Sequence, residues 1–348
     1  MMNCSSKIVK DSINQSKHNI YLKLNYRLNN MFYENINSKI KKQNIMTQNA
    51  LKSRNRDERR GQTMKKVAII SDIHGNLTAF QQVIKDAEKQ RVNEYWFLGD
   101  LLMPGPGAES ILELLNQINT TQFIRGNWDD FLFENILSIS KEYINEPQTT
   151  YMVELIKYVK SHLESKYIQQ IQQWPISKNI YFEGLNILLT HNHPKKNYGH
   201  ELLPYENQAN FDKLLFDKPY DLAIYAHIHH QLLRTSSKDQ LAINPGSIGQ
   251  PYTAWKKFRA DRRAQYAVLS FDQGLVDVNF RKVAYSIDDE LKIAEANDLP
   301  FRELYQRLFA EGITFTHDDD ALNEQIEKHS YKADALEYLK KLESSKDL

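Results

Sequence analysis

The sequence predicts an α/β fold, on two observations. Five short apolar or β-branched runs, each bounded by Gly, Asp, Asn or His, read as buried strands. Between and after them lie stretches whose apolar residues fall at helical spacing, such as Phe80, Val83, Ile84 and Ala87. The runs are Val67–Ser71 before Asp72, Tyr95–Gly99 before Asp100, Thr121–Gly126 before Asn127, Asn186–Thr190 before His191, and Leu222–Ala226 before His227. Every one ends in a residue able to ligate a divalent metal.

The elements follow in order. Asn76 is placed to cap a helix over Leu77–Gln90. From about 131 to 178 the strand pattern stops, and Phe131, Leu132, Ile136, Tyr151, Leu155, Tyr158 and Leu163 predict a helical insertion able to roof the strand ends. Strands resume at Ile180–Phe182 and Leu185–Leu189, and a short helix is expected around Gln208–Phe216. His230 should begin a strand running through Gln231–Arg234, its ring at the surface. Two antiparallel strands, Gln265–Phe271 and Val276–Val283, precede helices over Asp288–Ala296, Phe301–Phe309 and Ala321–Leu342, a helical C-terminus spanning about 286–343. These helices close the domain or pair it with a second copy in a homo-oligomer.

The polar run ends are candidate metal ligands. A buried sheet aligns its strand ends along one edge, where loops leave a rigid core and ligands bind. Asp72-Ile73-His74 and His227-Ile228-His229 place residues i and i+2 on one side of extended backbone. Asp72, His74, Asp100, Asn127, His191, His227 and His229 offer carboxylate, amide and imidazole donors, a set suited to manganese first, with iron or zinc as alternatives. Thiolate ligation has only Cys4 to draw on. Seven ligands exceed the needs of one cation and would serve two. Singly, each of these residues is better read as a turn or packing residue; their joint order makes the case.

That order, D-x-H, G-D, G-N, H, H-x-H, resembles the calcineurin-like metallophosphoesterases. The segment Ile243–Pro251 is similar to a loop of their small bacterial phosphodiesterase branch, and Asn127-Trp128-Asp129 with the helical C-terminus most resembles the asymmetric diadenosine tetraphosphate hydrolase and phosphodiesterase type. The resemblance runs from about Met64 to the C-terminus. It implies a four-layer α/β/β/α sandwich of two mixed sheets. It also implies that Asp72, His74 and His229 hold one metal, Asn127, His191 and His227 the second, and Asp100 bridges them, with a metal-bridging hydroxide as nucleophile.

One position departs from the pattern. Many relatives place a histidine after the asparagine to protonate the leaving oxygen, and here Trp128 stands there. General acid catalysis supplies roughly 10²–10⁴-fold, so its loss penalises alkoxide leaving groups and favours phosphoanhydrides or aryl diesters. Asp129 and His193 are the candidates to replace that acid, and Arg125 and Lys195 the candidates to touch substrate phosphate. Core packing is the plainer role for Trp128, and solvent exposure the plainer one for Arg125 and Lys195.

Composition divides the chain. It is 348 residues long, 41% hydrophobic and 26% charged. Residues 1–63 hold 13 Lys and Arg against 4 Asp and Glu, so residues 64–348 carry −8 of the overall +1. The basic, Asn-rich head predicts disorder. Because Met64-Lys65-Lys66 leads straight into the first strand, the head is also read as translated upstream sequence rather than native protein. No stretch is long and apolar enough for a signal or a membrane helix, and with one cysteine a cytoplasmic location is expected. An acidic body disfavours broad DNA binding, so small nucleotides or phosphodiesters are the expected substrates. The rival readings are a nuclease or RNA-end phosphatase and, in another class, a protein-interaction scaffold on the same fold.

Overall fold

A computed structural model describes residues 64–133, 143–216 and 218–344. The basic extension 1–63, with Cys4, and Ile136 of the predicted insertion lie outside the described residues.

Among the described residues, ten strands form two five-stranded mixed sheets. The first contains β1 (Lys65–Ile70), β2 (Glu94–Phe97), β3 (Thr120–Phe123), β9 (Ala264–Asp272) and β10 (Leu275–Val283), in the order β10-β9-β1-β2-β3. The second contains β4 (Ser177–Phe182), β5 (Leu185–Thr190), β6 (Leu222–Ile224), β7 (Gln231–Thr235) and β8 (Leu241–Pro245), in the order β4-β5-β6-β8-β7. β1, β2 and β3 run parallel, as do β5, β6 and β8, so the ends of β1, β2, β3, β5 and β6 open onto the loops that carry the polar residues.

Alternation along the strands explains the layering. Val67, Ile69, Trp96 and Leu98 from the first sheet meet Ile187, Leu189, Leu222 and Ile224 from the second in one buried cluster. The intervening Ala68, Ile70 and Phe97 face the opposite way, onto Phe80, Val83 and Ile84 of α1 (Leu77–Lys89) and Ile111, Leu112 and Leu115 of α2 (Glu109–Gln117). Leu188, Ala223 and Ala242 of the second sheet pack on Phe211, Leu214 and Leu215. Those three belong to a helix over Gln208–Phe216, the range predicted. Strands buried on both faces are apolar at nearly every position. The result is the α/β/β/α sandwich, built about two sheets.

After β3 come α3 (Asn127–Asp130), α4 (Pro147–Ser161) and α5 (Ser165–Gln172). The insertion does not simply roof the strand ends: α4 joins the outer helical layer, with Leu155, Ile156 and Val159 buried in the core cluster of the first sheet. Its Tyr158 hydroxyl donates to the Pro106 carbonyl at 2.9 Å. The Gln208–Phe216 helix is α6 in chain order, and the C-terminal helices are α7 (Ile287–Ala296), α8 (Arg302–Glu311), α9 (Asp319–His329) and α10 (Tyr331–Ser344). The single helix expected over Ala321–Leu342 is thus two, broken where Ser330 adopts φ 59°. Apolar periodicity continues through such a break, so the pattern alone does not show it. Glu290 on α7, fully buried, accepts from the Thr78 N–H at 2.8 Å and the Tyr305 hydroxyl at 3.1 Å, pinning α7 and α8 to the start of α1. No helix among the described residues is long and apolar enough to cross a membrane.

Candidate metal centre

The loops after β1, β2, β3, β5 and β6 bring the seven predicted residues together. Asp72, His74 and His229 form one cluster and Asp100, His191 and His227 another, the ligand atoms within each cluster lying within 4.8 Å of one another. Asp100 lies between the two, its Oδ2 3.2 Å from His191 Nε2 and 3.7 Å from His74 Nε2. Asn127 Oδ1 is 3.2 Å from His191 Nε2.

The local backbone is unusual. Asp72, His74, Asp100, His227 and His229 all have positive φ, between 50° and 68°. Left-handed geometry at a residue with a Cβ costs about 1–3 kcal/mol and persists only where surrounding structure imposes it. Here it turns five polar side chains off the strand ends toward one another. Two glycines allow the loops to close: a Cβ on Gly126 would sit 2.0 Å from Asp100 Oδ1, and one on Gly99 2.7 Å from His191 Nδ1.

Each histidine orientation has a cause. Nδ1 of His74 lies 2.7 Å from the Met103 carbonyl, Nδ1 of His191 2.6 Å from that of Leu98, and Nδ1 of His229 2.6 Å from that of Gln250. A carbonyl only accepts, so Nδ1 donates in all three and Nε2 presents its lone pair inward. Loop Gly246–Gln250 holds the other wall: Ser247 Oγ and the Gly249 N–H both donate to the Asp72 carbonyl at 2.9 Å. Its anchors went unassigned in the sequence because serine and glycine in an Asn-Pro-Gly turn read as turn chemistry.

Three observations fit this donor set to cations. Both carboxylate oxygens of Asp72 are buried with no backbone or hydroxyl donor on them, and Oδ1 faces His229 Nε2 at 3.3 Å. Next, His74 Nε2 and His229 Nε2 stand 3.1 Å apart, and with both Nδ1 protons committed outward this approach requires a positive charge between them, a proton or a metal. In the metal-free protein a proton on His229 fills that role, its pKa raised against burial by the charge and hydrogen bond of Asp72. Burial opposes charging His191, yet the Asp100 carboxylate outweighs it and pushes the imidazole up to about 9. Burial and the neighbouring His229 hold His74 down at about 4 despite Asp100, and burial with His191 does the same to His227. Finally, burial would raise Asp100, but the charge and hydrogen bond of His191, with His74 and His227, hold it well below the usual carboxylate range.

Other predicted residues fall elsewhere. Asp129 is buried in a hydrogen-bonding role: Oδ2 accepts from the N–H groups of Asp100 at 3.0 Å and Gly126 at 2.9 Å, and Oδ1 from Leu101 at 3.0 Å. Burial and the Asp100 charge push its carboxyl up to about 7 against those three donors. This geometry gives it a positioning role, tying the Asp100 loop to the Gly126 loop. Arg125 spends its guanidinium on Asp130 (2.5 Å) and on the carbonyls of Gln172 (2.7 Å) and Trp174 (3.1 Å), bracing α3 against the end of α5 rather than offering itself to phosphate. Lys195 is exposed on the turn in which the backbones of His193 and Lys196 pair, and His193 is half-buried there. The His230 ring, expected at the surface, is half-buried against Tyr252 at 5.4 Å. Trp128 is half-buried, its ring nearly perpendicular to that of His74 with the centroids 5.5 Å apart.

Comparison with known proteins accords with this geometry. The chain is 24% identical over 265 residues to an uncharacterized protein of Methanocaldococcus jannaschii, covering 70% of this chain and 97% of that one. Among solved structures it is similar to a hypothetical protein of Pyrococcus horikoshii (TM-score 0.59, 19% identity) and to a metallophosphoesterase of Sphaerobacter thermophilus (TM-score 0.54, 22% identity). Each match covers 72% of this chain and 100% of the other. The model of the calcineurin-like phosphoesterase superfamily domain matches residues 64–274, a span holding both clusters and the loop that supports them, and the chain therefore belongs to the calcineurin-like phosphoesterase superfamily.

Proposed function

We propose that the protein is a dinuclear metal-dependent phosphohydrolase acting on phosphoanhydride or phosphodiester bonds of small nucleotides, with manganese the preferred metal and iron or zinc the alternatives. The observation that carries this reading is the position of Asp100 Oδ2, within 3.7 Å of imidazoles from both clusters. Asp72, His74 and His229 would hold one cation, Asn127, His191 and His227 the other, with Asp100 shared. Bound cations of this kind supply Lewis acidity and lower the pKa of water toward neutrality.

The chain's own residues set the rest of the chemistry. The Trp128 N–H holds Asp100 Oδ1 at 2.8 Å, which leaves Oδ2 aimed between the clusters. Carbonyls behind His74, His191 and His229 lock their tautomers. Asp129 is spent on backbone N–H groups and the Trp128 indole is a donor that does not ionise usefully, so neither supplies a proton to a departing alkoxide. An anhydride, whose leaving phosphate is already stable as an anion, needs that proton least.

The test is a screen of manganese-loaded protein against dinucleoside polyphosphates, cyclic nucleotides, aryl diesters and monoesters, alongside Asp100→Asn. Turnover should concentrate on anhydrides and aryl diesters and be lost with a chelator. In Asp100→Asn it should fall by roughly 10²–10³-fold, as for removal of a principal electrostatic group. Full activity of that variant, or of the chelated protein, would end the proposal.

A further inference from the structure

Beside the metal centre lies a surface that none of this chemistry uses. The Gln250 carbonyl that anchors His229 leads into a loop, residues 251–263, reading PYTAWKKFRADRR. It holds five cationic side chains, Lys256, Lys257, Arg259, Arg262 and Arg263, against Asp261 alone, within a body that is acidic overall. Asp261 is already paired with Arg263 at 2.8 Å and Lys282 at 3.0 Å. Lys256 and Lys257 have no carboxylate partner among the described residues.

Three aromatic side chains interleave with these charges. Trp255 is 62% exposed, Phe258 66% and Tyr252 39%. Large aromatics this exposed, three within seven residues, forgo burial that would stabilise the fold and so mark a binding surface. The loop is nonetheless built: Arg259 donates to the Thr253 and Ala254 carbonyls, and the Trp255 N–H to Thr253 Oγ1. Tyr252, Lys257 and Phe258 line a groove of about 740 Å³, and His230, the residue after His229, lines it too. The Tyr252 N–H donates to the His229 carbonyl at 3.2 Å, so the groove wall and the metal centre share one piece of backbone.

Aromatic faces alternating with cations are how proteins hold a nucleobase and the phosphates flanking it without reading its identity. We propose that residues 252–263 form a nucleobase-and-phosphate subsite, which takes the part of a nucleotide substrate lying beyond its scissile phosphate. Tyr252 and Phe258, the aromatic residues that line the groove, stack the base and Lys257 meets a non-scissile phosphate. The inference rests on the phosphohydrolase reading and narrows it to substrates carrying a base on the groove side.

The experiment uses the manganese-loaded full chain and two ligands without a phosphoanhydride bond: adenosine 5′-(α,β-methylene)diphosphate and the base-free methylenebisphosphonate, titrated calorimetrically. The nucleotide should bind about tenfold or more tightly than the bisphosphonate, the gain from one stacked base. In Tyr252→Ala/Phe258→Ala that gap should close while bisphosphonate affinity holds. Lys257→Ala should weaken nucleotide binding and reduce its salt dependence. Competition by tetra-adenylate or by a methylene-bridged dinucleoside tetraphosphate then identifies the source of the base, and either upholds the subsite. Equal affinities for the two ligands in the parent, or a double variant binding the nucleotide as the parent does, would overturn it. So would a dimer seen by sedimentation that the double variant dissolves with nucleotide affinity unchanged. Base-dependent binding without turnover would refute the hydrolase reading and leave the subsite standing; turnover without base preference would do the reverse.

Discussion

The backbone N–H of Trp128 donates to Asp100 Oδ1 at 2.8 Å, while the indole of the same residue stands perpendicular to the His74 ring, the centroids 5.5 Å apart. One residue therefore performs two separable tasks. Its main chain steadies the shared carboxylate, and its side chain occupies the space beside the first cluster.

Because the hydrogen bond comes from the backbone, Trp128→His should leave Asp100 in place and put a titratable proton donor in that space. Turnover on alkyl phosphodiesters should rise by one to two orders of magnitude, within the range of general acid catalysis, while anhydride hydrolysis changes little. Rates for a leaving-group series would decide it. A uniform change across the series would rule out the missing-acid explanation.

Asp129→Asn tests the positioning role. An amide has one accepting oxygen and would direct its NH₂ at a backbone N–H, leaving at least one buried donor unsatisfied at about 1–3 kcal/mol. A lower melting temperature together with weaker manganese binding is expected. Unchanged metal affinity in a destabilised protein would confine Asp129 to a folding role.

Gly126→Ala places a methyl group 2.0 Å from Asp100 Oδ1, so the carboxylate or the loop must move. Overpacking of this kind costs about 1–3 kcal/mol. Activity should fall further than stability does, because the carboxylate displaced is the one whose other oxygen, Oδ2, faces both clusters. Parallel melting and turnover measurements separate the two effects.

The metal-free protein should respond to pH through His191. Its folded-state pKa is raised, to about 9, so the stabilisation it gains from Asp100 is fully present below its ordinary value of 6.5 and is lost as pH rises through 9. Asp100 has the opposite sign: its pKa is depressed, and its contribution is present above about 3.8 and lost as pH falls. A cation must displace the His191 proton, so manganese affinity should climb between pH 6.5 and 9 with proton release on binding. Titration calorimetry in buffers of differing ionisation heat reads that release directly; no proton release across this range would contradict the assignment.

Strand ends were legible because apolar runs and their polar stops obey local rules: β5 finishes directly before His191 as the pattern predicts, β6 stops at Ile224, two residues short of the predicted Ala226, and Asn76 caps α1, its Oδ1 accepting from the Ala79 N–H. Helix α2, over Glu109–Gln117, passed unnoticed because it follows a loop rich in Pro and Gly. The break at Ser330 escaped for the reason given above.

By itself, then, the sequence determined which side chains stand at the ends of buried strands and in what chemical variety, since hydrophobic periodicity and turn chemistry are written in neighbouring residues. Only the tertiary structure decided which of them meet. Distances across the clusters join residues far apart in the chain, such as His74 and His229, and whether a carboxylate ligates or merely positions depends on what surrounds it. Asp100 and Asp129 are both buried aspartates beside one loop. Three backbone donors claim both oxygens of Asp129, whereas one donor claims Oδ1 of Asp100 and leaves Oδ2 facing the imidazoles.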